Sequence, residues 1–173
     1  MAIHHSILSF LQQGGAPYAT LDHPVAYTAQ EEAAVTHVPG RDWAKTVVCL
    51  ADGEPIQAVL PATCSINEER LRALTGAHSL RLAEESEFDW LYPGCERGAM
   101  PPFGPLYGQR VFVDRTLTAD PEIVFNAGSH VNAIRMRYDD YAMLVQPVVG
   151  EFSRHSLTRR VRGASLRRSR RTR

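Results

Sequence analysis

Apolar residues fall at helical spacing at Ile3, Ile7, Leu8, Phe10 and Leu11, and Gly14-Gly15 close the pattern, so the chain is predicted to open with a helix. YATLDH, residues 18–23, is a short strand candidate. Thr28 and Glu31 stand three apart in capping-box form, which predicts a second helix start. From Trp43 to Ala51 both faces of an extended segment would be apolar, the pattern of a strand covered on both sides. Asp52-Gly53 is a strong hairpin turn, and EPIQAVLPA returns from it. Ser65 and Glu68 repeat the capping-box spacing ahead of a helix that ends at Gly76, with Ile66, Leu71 and Leu74 on one side. HSLRLA reads as a strand and ESEFDWLY as a short helix. Residues 93–108 are rich in glycine and proline and predict an ordered loop. QRVFVDRTL, EIVFNAG and HVNAIRMR are three more strand candidates, and DDYAMLV a last short helix. A mixed sheet flanked by several helices is an α+β fold.

Composition adds an asymmetry to this pattern. The 173 residues suit one domain with a sizeable core and carry no net formal charge, yet residues 151–173 hold nine arginines and one acid, Glu151. Residues 1–150 hold ten basic and eighteen acidic residues. An acidic body of net charge −8 with an appendage of +8 points to a polyanionic partner. After Val149 apolar periodicity stops, so a domain is expected over 1–150 and a disordered basic tail over 151–173. Three cysteines without CxxC spacing argue against a disulfide framework or a zinc ribbon and fit a reducing cytosol. The N-terminus has no basic leader region, and no stretch approaches the ~20 apolar residues of a membrane span, so a cytoplasmic location is expected.

No phosphate-binding loop, nucleophile elbow, HExxH or dinucleotide fingerprint is present. Three features carry chemistry. Lys45 is the sole lysine of a chain with eighteen arginines, set in an apolar strand beside Trp43, Val47 and Cys49. It is either an edge lysine reaching for water or a compact cation adjustable by burial, which arginine cannot supply. The segment Gly98-Ala99-Met100-Pro101-Pro102-Phe103-Gly104 is either a plain tight connection or a rigid loop presenting backbone N–H groups to a developing oxyanion. Gly128 in Ala127-Gly128-Ser129-His130 suggests a bulge or a close backbone approach, with His130 either a donor to substrate or a cap on the strand.

Taken in order, YTAQEEA (27–33), AKTVV (44–48), the Gly98-x-x-x-Pro102 loop running into Phe103-Gly104, and AGSH (127–130) resemble the YbaK family of prolyl-tRNA synthetase-associated editing domains over residues 5–150. The resemblance implies a mixed sheet curled partly into a barrel with helices around it. It implies hydrolysis, in trans, of a small amino acid (alanine, serine, threonine or cysteine) wrongly esterified to tRNA, often the proline tRNA. Lys45, Gly98, Pro102, Gly128 and His130 are then the candidate catalytic positions. Tyr27, Val47, Ala99, Met100, Pro101, Phe103, Gly104 and Ser129 are the candidate substrate contacts. No metal or organic cofactor is implied. Aminoacyl-tRNA is the partner, an aminoacyl-tRNA synthetase a further one left open, and no membrane is involved. The doubled Pro101-Pro102 departs from the family pattern. A tRNA binder without catalysis, or a regulatory partner with an inactive editing pocket, are the other classes these residues allow.

The arginine-rich tail lies outside the resemblance, and Arg159, Arg160, Arg162, Arg167, Arg168, Arg170 and Arg171 are the candidates for phosphate contacts. Each neutralised phosphate steepens the fall of affinity with salt. Removing the chain from Arg154 onward is therefore expected to weaken tRNA binding and flatten its salt dependence, with turnover at saturating substrate little changed. Equal affinity and equal salt slope in the shortened protein would remove this role from the tail.

Overall fold

The computed structural model describes residues 3–155. The arginines named from Arg159 onward lie outside the described residues. Helix α1 (His5–Gly14) starts on His4, whose ring accepts the Ser6 N–H, and ends on Gly15 in the left-handed conformation. Strand β1 (Tyr18–Asp22) leads to α2 (Ala29–Val35), where Thr28 and Glu31 make the expected reciprocal capping box. β2 (Ala44–Ala51) and β3 (Glu54–Pro61) form the expected hairpin, with Asp52 and Gly53 both at positive φ (51° and 86°).

Past the hairpin the sequence pattern is less complete. β4 (Cys64–Ile66) takes Ser65, and the helix α3 (Glu68–Thr75) is capped by Asn67, which accepts from the Arg70 N–H, not by Ser65. β4 finds a pairing partner far along the chain, and this fixes Ser65 in a strand before the helix begins. β5 (Leu80–Leu82) and α4 (Glu85–Phe88) are shorter than their patterns. In QRVFVDRTL only β6 (Val111–Asp114) is extended, because Asp114 caps a 3-10 turn over Arg115–Ala119. β7 (Glu122–Ser129), β8 (Asn132–Arg137) and α5 (Tyr138–Val145) follow the expected order. β9 (Val148–Gly150) and β10 (Ser153–His155) had no signal in the sequence.

The strands make three sheets: β5-β2-β3-β6-β9, β1-β8-β7, and the pair β10-β4. β3, β6 and β9 run parallel, and the other ladders are antiparallel, so the sheet is mixed as expected. It does not close into a barrel among the described residues. A single bridge from Trp43 to Val124 links the two larger sheets. One core fills the space between those sheets, α1 and α5, around Phe103, Phe125 and Tyr141. A second packs the opposite face of β2 and β3 against α3, around Leu60, Leu71 and Phe152.

Phe152 ends the expectation that order stops near residue 150. Its side chain is 0% exposed. Its N–H and that of Ser153 both reach Asp114 Oδ2, at 2.9 and 2.7 Å. Burial disfavours the Asp114 carboxylate, but these donors and Thr116 outweigh it and hold the group below its usual range. Residues 153–155 then pair with 64–66 in register. A cut meant to test the tail alone must therefore fall after His155. Phe152→Ala is expected to destabilise the protein by about 3–5 kcal/mol, through loss of buried area and the cavity left behind, measured by denaturant unfolding. A loss below ~1 kcal/mol would mean that the second core does not depend on the C-terminal strand.

Candidate active site

The loop 93–104 is held at three places, and each uses a residue that the chain brings from elsewhere. At Gly128, the register of β7 against β8 shifts between Asn126 and Ser129. This bulge turns the backbone of Gly128, at φ +91°, away from its sheet. The Gly128 N–H donates to Ala99 O at 2.9 Å, and its carbonyl accepts from the Glu96 N–H at 2.8 Å. A side chain at this position would sit 3.2 Å from Ile7 and 3.3 Å from Cys95 Sγ. Farther along, Gln57 of β3 donates to Pro101 O at 3.3 Å and the Tyr141 hydroxyl to Pro102 O at 3.0 Å.

His130 makes the third attachment. Its backbone N–H donates to Glu96 Oε2 at 2.7 Å. Its Nε2 lies 2.7 Å from Arg97 O, and its Nδ1 3.1 Å from Glu32 Oε1. Glu32, in the first turn of α2, is 0% exposed. Both of its oxygens accept from Asn126 Nδ2, at 3.0 and 2.9 Å. Burial pushes the Glu32 carboxyl up, against the hydrogen bonds from His130 and Asn126. Burial works against charge on His130, but the bonds to Glu32 and to Arg97 O prevail and raise it. At 3.1 Å, a single proton between Glu32 Oε1 and His130 Nδ1 serves both groups, and both shifts run toward keeping it. Wherever it sits on that line, Nε2 keeps its own hydrogen for Arg97 O.

The residue after Arg97 is Gly98, at φ +80°, a conformation that L side chains rarely adopt. Within the loop, the Ala99 N–H is spent on Glu96 O and the Phe103 N–H on Pro101 O. Pro101 and Pro102 have no N–H to give. The N–H groups of Gly98 and Met100 have no hydrogen-bond partner among the described residues. Ala99, Met100 and Pro101 are buried. Phe103 and Gly104 belong to the packing: Phe103 sits in the main core, and a side chain at 104 would meet Val111 at 2.3 Å. Ser129 donates to Asn132 Oδ1 at 2.8 Å inside the β7–β8 turn. Tyr27 is 74% exposed, with its ring 5.2 Å from that of His130.

Lys45 lies on the other face of β2. Val48 packs with Met100 of the loop, whereas Val47 and Cys49 face the second core with Lys45. The Lys45 ammonium donates to Cys64 O. It lines a cavity of about 240 Å³ with Val47, Ser65, Leu82 and Arg154, among others, and none of the lining residues comes from the Gly98 loop or from 128–130. Burial lowers its affinity for a proton. The edge of β2 that carries the bridge at Trp43 and the ladder to β5 at Cys49–Ala51 is unpaired from Lys45 to Val47 among the described residues. Thr46 Oγ1, on that stretch, is buried without a partner. Among the described residues no cluster of three or more histidine, cysteine or acidic side chains could hold a metal, and no helix is long and apolar enough to cross a membrane.

Three residues of this arrangement had no individual sequence signal. Glu32 follows the capping residue Glu31 and reads as an ordinary acid of a first helical turn. Asn126 falls inside a strand pattern, and Glu96 in a loop. An asparagine at a core-facing strand position was the one available clue, since a buried amide needs a partner.

The chain belongs to the Aminoacyl-tRNA editing domain family, which it matches over residues 23–144. It is 33% identical over 128 residues to a proline–tRNA ligase of Nitratidesulfovibrio vulgaris, covering 72% of this chain and 22% of that one. It therefore spans only about a fifth of that ligase. It is 27% identical over 162 residues to the multifunctional Ser/Thr-tRNA deacylase ProXp-y of Escherichia coli, covering 87% of this chain and 93% of that protein. A solved structure described as a candidate trans-editing enzyme for prolyl tRNA synthetase superposes with a TM-score of 0.76 at 19% identity, covering 87% of this chain and 96% of that one. A hypothetical protein of known structure gives 0.77 at 22% identity, with coverage of 86% and 99%.

The shared proton has a consequence for stability. A histidine raised above its usual 6.5 contributes stability that is fully present below pH 6.5 and is lost as pH rises through the folded value. Melting temperature is therefore expected to fall as pH rises above 6.5, and His130→Asn to flatten that fall. An identical slope in the variant would show that the pair does not carry the linked proton.

Proposed function

We propose that this chain hydrolyses the ester of a mischarged aminoacyl-tRNA, acting in trans on a small amino acid. The observation that carries the reading is the pinned Gly98–Pro102 loop with its two unpaired amides. Donors held before the reaction begins stabilise an oxyanion without reorganisation, each typically about 2.7–4 kcal/mol. An aminoacyl ester is already activated, so a positioned water suffices. Water would form the new C–O bond and the ester C–O bond would break. The ribose oxygen leaves with a proton, and a neighbouring ribose hydroxyl of the tRNA is the relay that needs no protein base.

In this reading the N–H groups of Gly98 and Met100 face the carbonyl oxygen. Gly128 and His130 hold the loop, with Pro101 and Pro102 making it stiff. Lys45, in exchange for its bond to Cys64 O, takes the ester or the terminal phosphate at the open edge of β2. Tyr27, exposed beside His130, offers a face for a base. Val47 and the cavity beside Lys45 favour a small side chain, and the name of the Escherichia coli relative supports serine and threonine. The arginines after His155 are proposed to add affinity for the tRNA backbone.

The test is single-turnover hydrolysis of alanyl-, seryl-, threonyl-, cysteinyl- and prolyl-tRNA. Small-residue esters are expected to be cleaved and correctly charged prolyl-tRNA spared, although neighbours differing by one methylene separate by only about 1–3 kcal/mol. Lys45→Arg is expected to fold with a near wild-type melting temperature and lose about 10²-fold in rate. The planar guanidinium displaces the ester by about an ångström. Retained tRNA binding with no ester cleaved above the spontaneous rate would make the chain a binder and not an enzyme. Wild-type rates in Lys45→Arg would return that lysine to the surface.

A further inference from the structure

A carboxylate with no exposed surface is costly unless it is paired and hydrogen-bonded. Glu32 needs an explanation for its place, because the neighbouring Glu31 already does the work of capping α2. Glu31 Oε2 accepts from the backbone of Thr28 at 3.2 Å and of Tyr27 at 3.3 Å. Glu32 instead points inward, and its partners are a strand amide and an imidazole that connects onward to the loop. From Glu32 Oε1 to the carbonyl that precedes Gly98 there are two steps, 3.1 Å to Nδ1 and 2.7 Å from Nε2.

We propose that Glu32 is a positioning residue for the deacylation: by fixing the hydrogen of His130 on Nε2, it holds the Arg97 carbonyl and sets the direction of the Gly98 N–H. The inference rests on the proposed reaction at the Gly98 loop. Its logic is one of hydrogen positions. While the Glu32–His130 pair holds its shared proton, both contacts are satisfied. Once that proton is lost, the neutral ring has one hydrogen for two acceptors. Hydrogen on Nδ1 leaves the Nε2 lone pair against Arg97 O, and hydrogen on Nε2 leaves the Nδ1 lone pair against the Glu32 carboxylate. Either way one end of the strut opens. The other groups facing this pair are Glu96, which takes the His130 backbone N–H and favours charge on the ring, the Tyr27 ring, the uncharged Asn126 amide, and His23, whose charge would favour the Glu32 anion. Arg97 contributes its carbonyl here, and its guanidinium is engaged by Asp89 at 2.6 Å.

Glu32→Gln separates positioning from bulk structure. A glutamine amide can donate to Nδ1 and keep Nε2–H on Arg97 O in a neutral ring, with no titrating proton. The expected result is a single-turnover rate within about 3-fold of wild type near pH 6.5, together with a changed pH profile. Above the spontaneous hydrolysis measured at each pH, wild type loses rate as pH rises through the His130 ionisation, and Glu32→Gln does not. Glu32→Ala is expected to lose on the order of 10²-fold in rate with KM little changed, the effect of a reacting group misplaced by about an ångström. A direct readout needs no activity: imidazole ¹⁵N shifts of His130 across the same pH range. These should report a ring that loses its charge with pH in wild type and a fixed Nε2–H tautomer in Glu32→Gln. If no ester is cleaved but the ¹⁵N shifts behave so, the strut stands and the deacylase reading falls. If Glu32→Gln keeps the wild-type pH profile and the wild-type His130 titration, Glu32 does not position the ring and the inference is overturned.

Discussion

The hydrogen bond from His130 Nε2 to Arg97 O is the contact on which the candidate site depends. It joins the end of β7, the buried acid of α2 and the turn into Gly98, segments 98 and 33 residues from His130 along the chain. A loop of glycines and prolines has little side-chain packing of its own to define its shape, so its geometry comes from where its carbonyls are anchored. Four of them, on Arg97, Ala99, Pro101 and Pro102, are held by His130, Gly128, Gln57 and Tyr141. With the carbonyls fixed, the peptide planes are fixed, and with them the directions of the two free N–H groups. Such rigidity is what an oxyanion-binding element requires.

The bulge at Gly128 makes this anchoring compatible with a sheet. In a regular antiparallel ladder alternate residues of β7 give their N–H and carbonyl groups to β8. Within the register shift before Ser129, both backbone groups of Gly128 go to the loop, while the ladder from Glu122 to Asn126 stays intact. The same rearrangement sets His130 at the start of the return turn, where its ring reaches back toward α2. One irregular residue thereby converts a structural strand into a support for the site.

β2 divides the remaining chemistry. Its Val48 face meets the loop, and its Lys45 face meets a second core and a cavity walled by Arg154 from the C-terminal strand. The ammonium is satisfied by Cys64 O and disfavoured by burial. A lysine so placed has a weaker hold on its proton than one in water. The edge of β2 between the two faces is unpaired from Lys45 to Val47 among the described residues.

The sequence by itself determined the elements whose stability is local. The α2 capping box, the Asp52-Gly53 hairpin, the α3 stop at Gly76 and the order of the strands follow from propensity, turn chemistry and alternation, all of which act over a few residues. It also pointed to Lys45, the Gly98 loop and the Gly128-x-His130 segment, because a sole lysine, a run of glycines and prolines and a glycine inside a strand pattern each depart from the local norm. Tertiary structure decided what those residues face. Glu32 is chemically the same as Glu31 beside it, and only the packing of α2 over β7 turns one to water and the other to Asn126 and His130. Phe152 and β10 gave no periodic signal, since a three-residue strand is fixed by its partner β4 and by Asp114 and not by its own sequence. Alternation along β2 put Lys45 and Val48 on opposite faces, but which core covered each face depended on contacts between residues far apart in the chain, and no local pattern encodes those.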